Sequence, residues 1–165
     1  MISKHIAYSE ISEILSPCEY VEMCGLRFTG VTPVFELIVC YRVPGNILSQ
    51  AEWDSIVQNV KINTNSILVG DFNSHHVNWN CKYTDTNGKR FEKAIENAEL
   101  FLHNVDSVTF MQPRRDYKSN LDLVFSNLCV SEKLNVCVNN ETWGFDHFPI
   151  YINVNVKKSL YEKNV

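Results

Sequence analysis

The sequence predicts an α/β fold arranged as a two-sheet sandwich, in which mixed, largely antiparallel strands are flanked by helices. Three observations predict it. Strand-forming runs outnumber helical ones, several neighbouring strands are joined by short turns rather than crossovers, and two stretches repeat their apolar residues at helical spacing. The pattern argues against a doubly wound parallel sheet. With 165 residues, 45% of them hydrophobic and 12% aromatic, the chain has the apolar mass for one core. One domain is expected over residues 1–156, with a loose tail at 157–165.

Taken in order, three β-rich runs open the chain, at residues 5–11, 20–28 and 34–41, the third mostly buried because Val34, Leu37, Ile38 and Val39 crowd it. The turn formers Thr29-Gly30 and Thr32-Pro33 predict an antiparallel connection between the last two. Arg42-Val43-Pro44-Gly45-Asn46 is a breaker cluster, and Ser49-Gln50-Ala51-Glu52 reads as a capping box opening a helix over residues 49–60. Trp53, Ile56, Val57 and Val60 give that helix one apolar face. A short strand, Ile67-Leu68-Val69, runs into Gly70-Asp71-Phe72-Asn73. After a long polar loop a second helix is expected over residues 88–98, with Phe91, Ala94, Ile95 and Ala98 on one side. Further strands are expected at 100–103, 121–125, 134–138 and 148–156.

Fifteen basic against nineteen acidic residues leave a formal charge of -4. No basic field covers the surface, so any nucleic-acid contact is local and weak. The amino terminus lacks an apolar export region and no segment reaches membrane-span length, so the expectation is an intracellular protein, nuclear or cytoplasmic, with no membrane partner. The six cysteines form no C-x-x-C pair and sit mostly in strand-like runs, which predicts buried, reduced thiols.

Chemistry shows in three separated pieces: Gly70-Asp71-Phe72-Asn73, then Ser119-Asn120-Leu121-Asp122, then Asp146-His147-Phe148-Pro149-Ile150. A carboxylate and an amide two residues apart, at the end of a strand, share one side of it and could face one phosphate. An Asp-His pair before an apolar strand sets an imidazole beside a carboxylate, and Asp122 on a separate strand could orient that imidazole. Together they supply what phosphodiester hydrolysis needs. The bland alternative for Asp71 and Asn73 is a turn cap, which the second and third pieces make much less attractive.

The ordered set resembles the endonuclease/exonuclease/phosphatase superfamily, whose members share a DNase I-like sandwich. Gly70-Asp71-Phe72-Asn73-Ser74-His75-His76 with Trp79, Asn87-Gly88, and Asp146-His147-Phe148-Pro149-Ile150 are most similar to the endonuclease of jockey-like non-LTR retrotransposons. The resemblance implies DNA as partner, hydrolysis assisted by Mg2+ (or Mn2+), and no small-molecule cofactor. It implies that Asp71 orients or deprotonates the attacking water, Asn73 holds a phosphate oxygen or a metal-bound water, and His147 stabilises charge on the phosphate. Asp122 would fix the tautomer of His147, Asp146 would ligate the metal, and Tyr41 would contact the scissile phosphate. Thr109, Ser119, His75 and His76 would be further substrate contacts.

Aligned on these motifs, the chain begins after the family's first strand with its Asn and after the unit that carries a Glu ligand. The expected sandwich therefore lacks its first strands, and impaired hydrolysis is expected. Phe145 stands where the family usually has Ser. A catalytically inactive mobile-element remnant or binding module is the alternative, and a phosphatase or phosphodiesterase of the same superfamily a further one. Trp53, Trp79 and Trp143 are expected to pack rather than stack on bases, and Lys89-Arg90 and Arg114-Arg115 to be solvated.

Overall fold

Strand alternation and two amphipathic helices organise the molecule, seen here in a computed structural model that describes residues 6–112 and 117–159. In chain order the elements are β1 (Tyr8–Glu10), β2 (Val21–Phe28), β3 (Val31–Thr32), β4 (Phe35–Arg42), α1 (Gln50–Gln58) and β5 (Ser66–Asp71). A 3-10 turn at Val77–Trp79 precedes α2 (Thr86–Asn97), β6 (Phe101–Leu102), β7 (Phe110–Gln112), β8 (Tyr117–Ser119), β9 (Asp122–Ser126) and α3 (Leu128–Ser131). The chain closes with β10 (Leu134–Val138), β11 (Ile150–Val154) and β12 (Lys157–Lys158).

Six strands form one sheet in the order β1-β2-β4-β5-β9-β6. Its pairings are antiparallel except β4 with β5, which are parallel. A parallel pair needs a crossover, and α1 supplies it. The predicted antiparallel turn between β2 and β4 is present, from Phe28 opposite Phe35 to Val21 opposite Arg42. Gly70 permits close β4–β5 pairing, since a Cβ there would sit 1.7 Å from the Cys40 carbonyl oxygen.

Both helices cover one face of this sheet. The capping box of α1 forms as expected: Ser49 Oγ accepts from the Glu52 backbone, and Ser49 N donates to Glu52 Oε2 at 2.6 Å. The cap of α2 is Asp85, whose Oδ1 accepts from Gly88 N at 2.6 Å, so the helix begins two residues before the expected start. Trp53, Ile56, Val57, Phe91 and Ala94 press on Ile38, Leu68, Leu123 and Phe125 in one buried cluster. The Trp53 and Phe91 rings stack at 4.4 Å, and Phe72 meets Phe91 at 4.6 Å.

On the opposite face the β10–β11 hairpin forms the second layer of the sandwich. Leu134, Val136, Ile150, Ile152 and Val154 pack on Ile67, Val124 and Val130. Two small pairs, β7–β8 and β3–β12, complete the strands.

Several expectations are corrected. The tail is not loose from residue 157: Lys157 and Lys158 pair with Thr32 and Val31, and Ser159 N donates to the Gly30 carbonyl. Extended backbone with unpaired groups found an unpaired partner there. The remainder of the tail, like His5 and Arg114-Arg115, lies outside the described residues. The strands β3, β7, β8 and β12 and helix α3, two to four residues each, are too short to show a period in sequence. Of the cysteines, Cys40 and Cys81 are buried, but Cys24, Cys129 and Cys137 are exposed, because alternation turns Cys24 and Cys137 to the open sides of their strands. Among the described residues no helix is long and apolar enough to cross a membrane.

Candidate active site

Register assembles the site. Tyr41 on β4 is opposite Asp71 on β5, and Asp71 is opposite Asp122 on β9, so the three side chains form one row on one face at the strand ends. That face is the hairpin side, because Ile67 and Val124, at the same alternation as Asp71 and Asp122, pack against β10 and β11. The residues before β11 bring in the histidine. A bridge pairs Phe110 with His147, Met111 N donates to the Asp146 carbonyl and Phe148 N to that of Thr109, both at 2.8 Å.

His147 Nδ1 thereby meets Asp122 Oδ2 at 2.7 Å. Ligand atoms of Asp71, Asp122 and His147 all lie within 4.8 Å of one another. Residues from three separate parts of the chain thus converge, as the motif order implied.

Asn73 is held by a reciprocal lock. Its backbone adopts φ 45, a left-handed conformation that asparagine tolerates. Arg42, 2% exposed, donates from Nε to the Phe72 carbonyl at 2.7 Å and from Nη2 to the Asn73 carbonyl. Its Nη1 reaches the carbonyls of Val43 and Asn46. In return, Asn73 Nδ2 donates to the Arg42 carbonyl at 2.8 Å, and Asn73 N donates to Asp71 Oδ1 at 3.1 Å. The guanidinium therefore shapes the loop rather than offering itself to a substrate.

The charges are arranged for proton chemistry. Burial pushes the Asp71 carboxyl up to about 6, and the neighbouring Asp122 charge adds to the rise. The bond to Asp122 raises His147 above its ordinary value, against the effect of burial. A carboxylate near neutrality beside a favoured imidazolium is a base and an electrostatic donor within one cluster.

Other sequence candidates fall elsewhere. Asp146 is exposed and is not among the mutually close ligand atoms, and its carbonyl accepts from Met111 N of β7. Thr109 is fully buried, and its Oγ1 accepts from the backbone of Leu121 and Asp122, both at 2.9 Å. It sets the start of β9. Ser119 is also fully buried, with its hydroxyl unpartnered. His76 caps the 3-10 turn, its Nδ1 accepting from Asn78 N, and packs on Trp79. His75 lines an open groove with Asn73, its Nδ1 3.1 Å from Asp85 Oδ2. Tyr41 is 42% exposed and accessible beside Asp71. Trp53 and Trp79 pack as expected, but Trp143 is 63% exposed.

One contributor carried no local signal. Asn104 clamps β9, with Nδ2 to the Asp122 carbonyl at 2.8 Å and Oδ1 from Val124 N at 3.0 Å, and Asn120 Nδ2 secures the Asn104 carbonyl. Arg42 had one faint signal: a charged residue at the inward alternation of β4.

The sequence profile described as "Endonuclease-reverse transcriptase" matches residues 35–151. No protein of curated description matches the sequence. Among solved structures, the endonuclease domain of TRAS1, a telomere-specific non-LTR retrotransposon, superposes with a TM-score of 0.72 at 13% identity, over 94% of this chain and 72% of that one. The 3' phosphatase NExo from Neisseria, bound to product DNA hairpin, gives 0.64 at 16% identity, over 93% and 72%. The Xenopus laevis APE2 catalytic domain gives 0.55 at 13%, over 81% of this chain but only 56% of its own length. Likewise the chain spans 64% of a Neisseria meningitidis 3'-5' exonuclease.

Proposed function

Since this chain belongs to the endonuclease/exonuclease/phosphatase superfamily, we propose that it hydrolyses phosphodiester bonds in DNA with the help of a divalent cation. The observation that carries the reading is the convergence of Asp71, Asp122 and His147, with the Asp71 carboxyl pushed up to about 6. Asp71 aligns a water molecule and takes its proton as the water oxygen bonds to phosphorus; the bond from phosphorus to the leaving oxygen breaks. His147, held by Asp122 Oδ2, donates a charge-assisted hydrogen bond to a phosphate oxygen. Asn73, locked by Arg42, presents its amide to a second oxygen, and the exposed Tyr41 hydroxyl reaches the phosphate from β4.

The donor set fits a hard ion. Asp71 and Asp122 repel one another, as the raised Asp71 value reflects, and a cation against both carboxylates would relieve that repulsion. Mg2+ or Mn2+ would be held there, with Asp146 of the adjoining loop as a further carboxylate. Such an ion neutralises charge building on the phosphate oxygens.

The test is conversion of supercoiled plasmid to the nicked form, run beside hydrolysis of bis(p-nitrophenyl) phosphate. Cation-dependent nicking is expected, abolished by EDTA and by Asp71→Asn or His147→Ala. Cleavage unaffected by either substitution would defeat the reading. Mg2+ or Mn2+ should also raise the melting temperature of the parent and not of Asp71→Asn. A second reading, a phosphatase or small-molecule phosphodiesterase, is favoured by the net charge of -4, which gives DNA little long-range attraction. Hydrolysis of the chromogenic diester without plasmid nicking would select it.

A further inference from the structure

Trp143 and Phe145 are the anomaly of this surface. Two of the three tryptophans are buried, Trp53 at 0% and Trp79 at 2% exposure, whereas Trp143 is 63% exposed and Phe145 72%. Large aromatic rings held in water are normally explained by something that covers them. We propose that these two rings form a stacking platform for a nucleobase that flanks the phosphodiester at the candidate site. The proposal rests on the phosphodiesterase reading for its substrate class.

The loop holds the rings outward. Asn139 N donates to the Pro149 carbonyl at 2.8 Å and closes its base, and Phe145 N donates to Thr142 O at 3.1 Å. Between them Trp143 has φ 53 and Gly144 φ 89. A left-handed tryptophan is an uncommon conformation that the closed turn imposes. The carbonyl of Asp146 and the amide of Phe148 are tied to β7 and to Thr109, so the loop is anchored on both sides of His147. Phe145 and Trp143 precede that histidine by two and four residues. At the fully extended limit this places their Cα atoms within about 7 and 14 Å of it, the range of a neighbouring nucleotide.

The charge of the loop selects the base over the backbone. Residues 139–146, ahead of His147, contain Glu141 and Asp146 and no lysine or arginine. A phosphate would be repelled, while the uncharged face of a base meets an aromatic ring favourably, whatever its sequence. The platform therefore favours a base already free of its stack, such as an unpaired nucleotide beside the bond to be cut.

Because Trp143 is the exposed tryptophan of the three, intrinsic fluorescence reports on it directly. The full chain is titrated in EDTA with a duplex carrying one unpaired base and with the fully paired duplex. Expected are quenching by the first, loss of the signal but not of affinity in Trp143→Phe, and affinity about tenfold weaker in the Trp143→Ala/Phe145→Ala double variant. The deficit should persist from low to high salt, since no ion pair is removed. Affinity unchanged in the double variant overturns the proposal, as does a change confined to self-association in light scattering, which would mean the rings meet a second copy. A parent that hydrolyses the diester yet binds neither duplex also sinks it while leaving phosphoester hydrolysis standing. Quenching and weakened binding in a chain that hydrolyses nothing would uphold the platform and end the nuclease reading.

Discussion

The two faces of the six-stranded sheet use the same strands for different ends. On β4, Ile38, Cys40 and Arg42 point to the helices and are almost fully buried, while the intervening Val39 and Tyr41 are 37% and 42% exposed. On β5 and β9, Leu68, Leu123 and Phe125 enter the helix-side core, while Asp71 and Asp122 stand on the other face among partly buried neighbours. The helix face is saturated by aromatic packing. The hairpin face is only partly roofed, and that opening lets carboxylates and an imidazole coexist near water. Stability and candidate chemistry are thus carried by alternate residues of the same strands.

The comparison can be broken most forcefully from the helix side. Phe91→Ala removes a fully buried ring that touches Trp53, Phe72 and Phe125, and should cost about 3–5 kcal/mol in denaturant unfolding. Leu37→Ala, half-buried on the hairpin face, should cost less than half of that. Equal costs would mean the faces are equally packed.

Arg42 is where the faces communicate, since its guanidinium lies with the helices while its bonds shape the loop of Asn73. Arg42→Ala leaves several carbonyls without donors and should cost about 1–3 kcal/mol. It should also lower turnover on bis(p-nitrophenyl) phosphate more than tenfold, measured well below the unfolding midpoint. Arg42→Lys cannot span all these carbonyls and should recover stability more fully than turnover.

Asp71→Asn should act in the opposite sense on the two properties. The folded carboxyl titrates near 6 against an ordinary 3.8, so folding binds its proton more tightly. Its contribution to stability is greatest at low pH and is lost as pH rises through about 6. His147, raised by Asp122, has the same sign, its contribution being lost as pH rises through its folded value. Thermal melts should therefore show Asp71→Asn more stable than the parent above pH 6, the gap closing towards pH 4. A variant less stable at pH 8 would contradict the assignment of burial and charge repulsion to this group.

The smallest effect, in reactivity alone, separates the faces by their thiols. Cys24 on the hairpin face and Cys137 on the outer side of β10 are exposed and should react readily with a thiol reagent in the native protein. Cys40, on the helix face, has its thiol pushed up by burial to about 12 and should react only on unfolding. Mass mapping of the labelled peptides distinguishes them.

Much of this was legible in the sequence, because it is written in local patterns. Period-two and helical apolar spacing located the long strands and both main helices, Ser49 and Glu52 announced the cap of α1, and the order of the three motifs singled out Asp71, Asp122 and His147, whose ligand atoms converge. What tertiary structure alone decided are contacts between residues far apart in the chain. Thr109 and Asn104 reach β9 across 13 and 18 residues, and Arg42 reaches Asn73 across 31. No local period encodes such partners, so the burial of Thr109, Ser119 and His76 was not legible in the sequence. Trp143 read as core for the same reason. Spacing fixes which face of its own element a side chain takes, but what that face meets depends on how the rest of the chain folds back upon it.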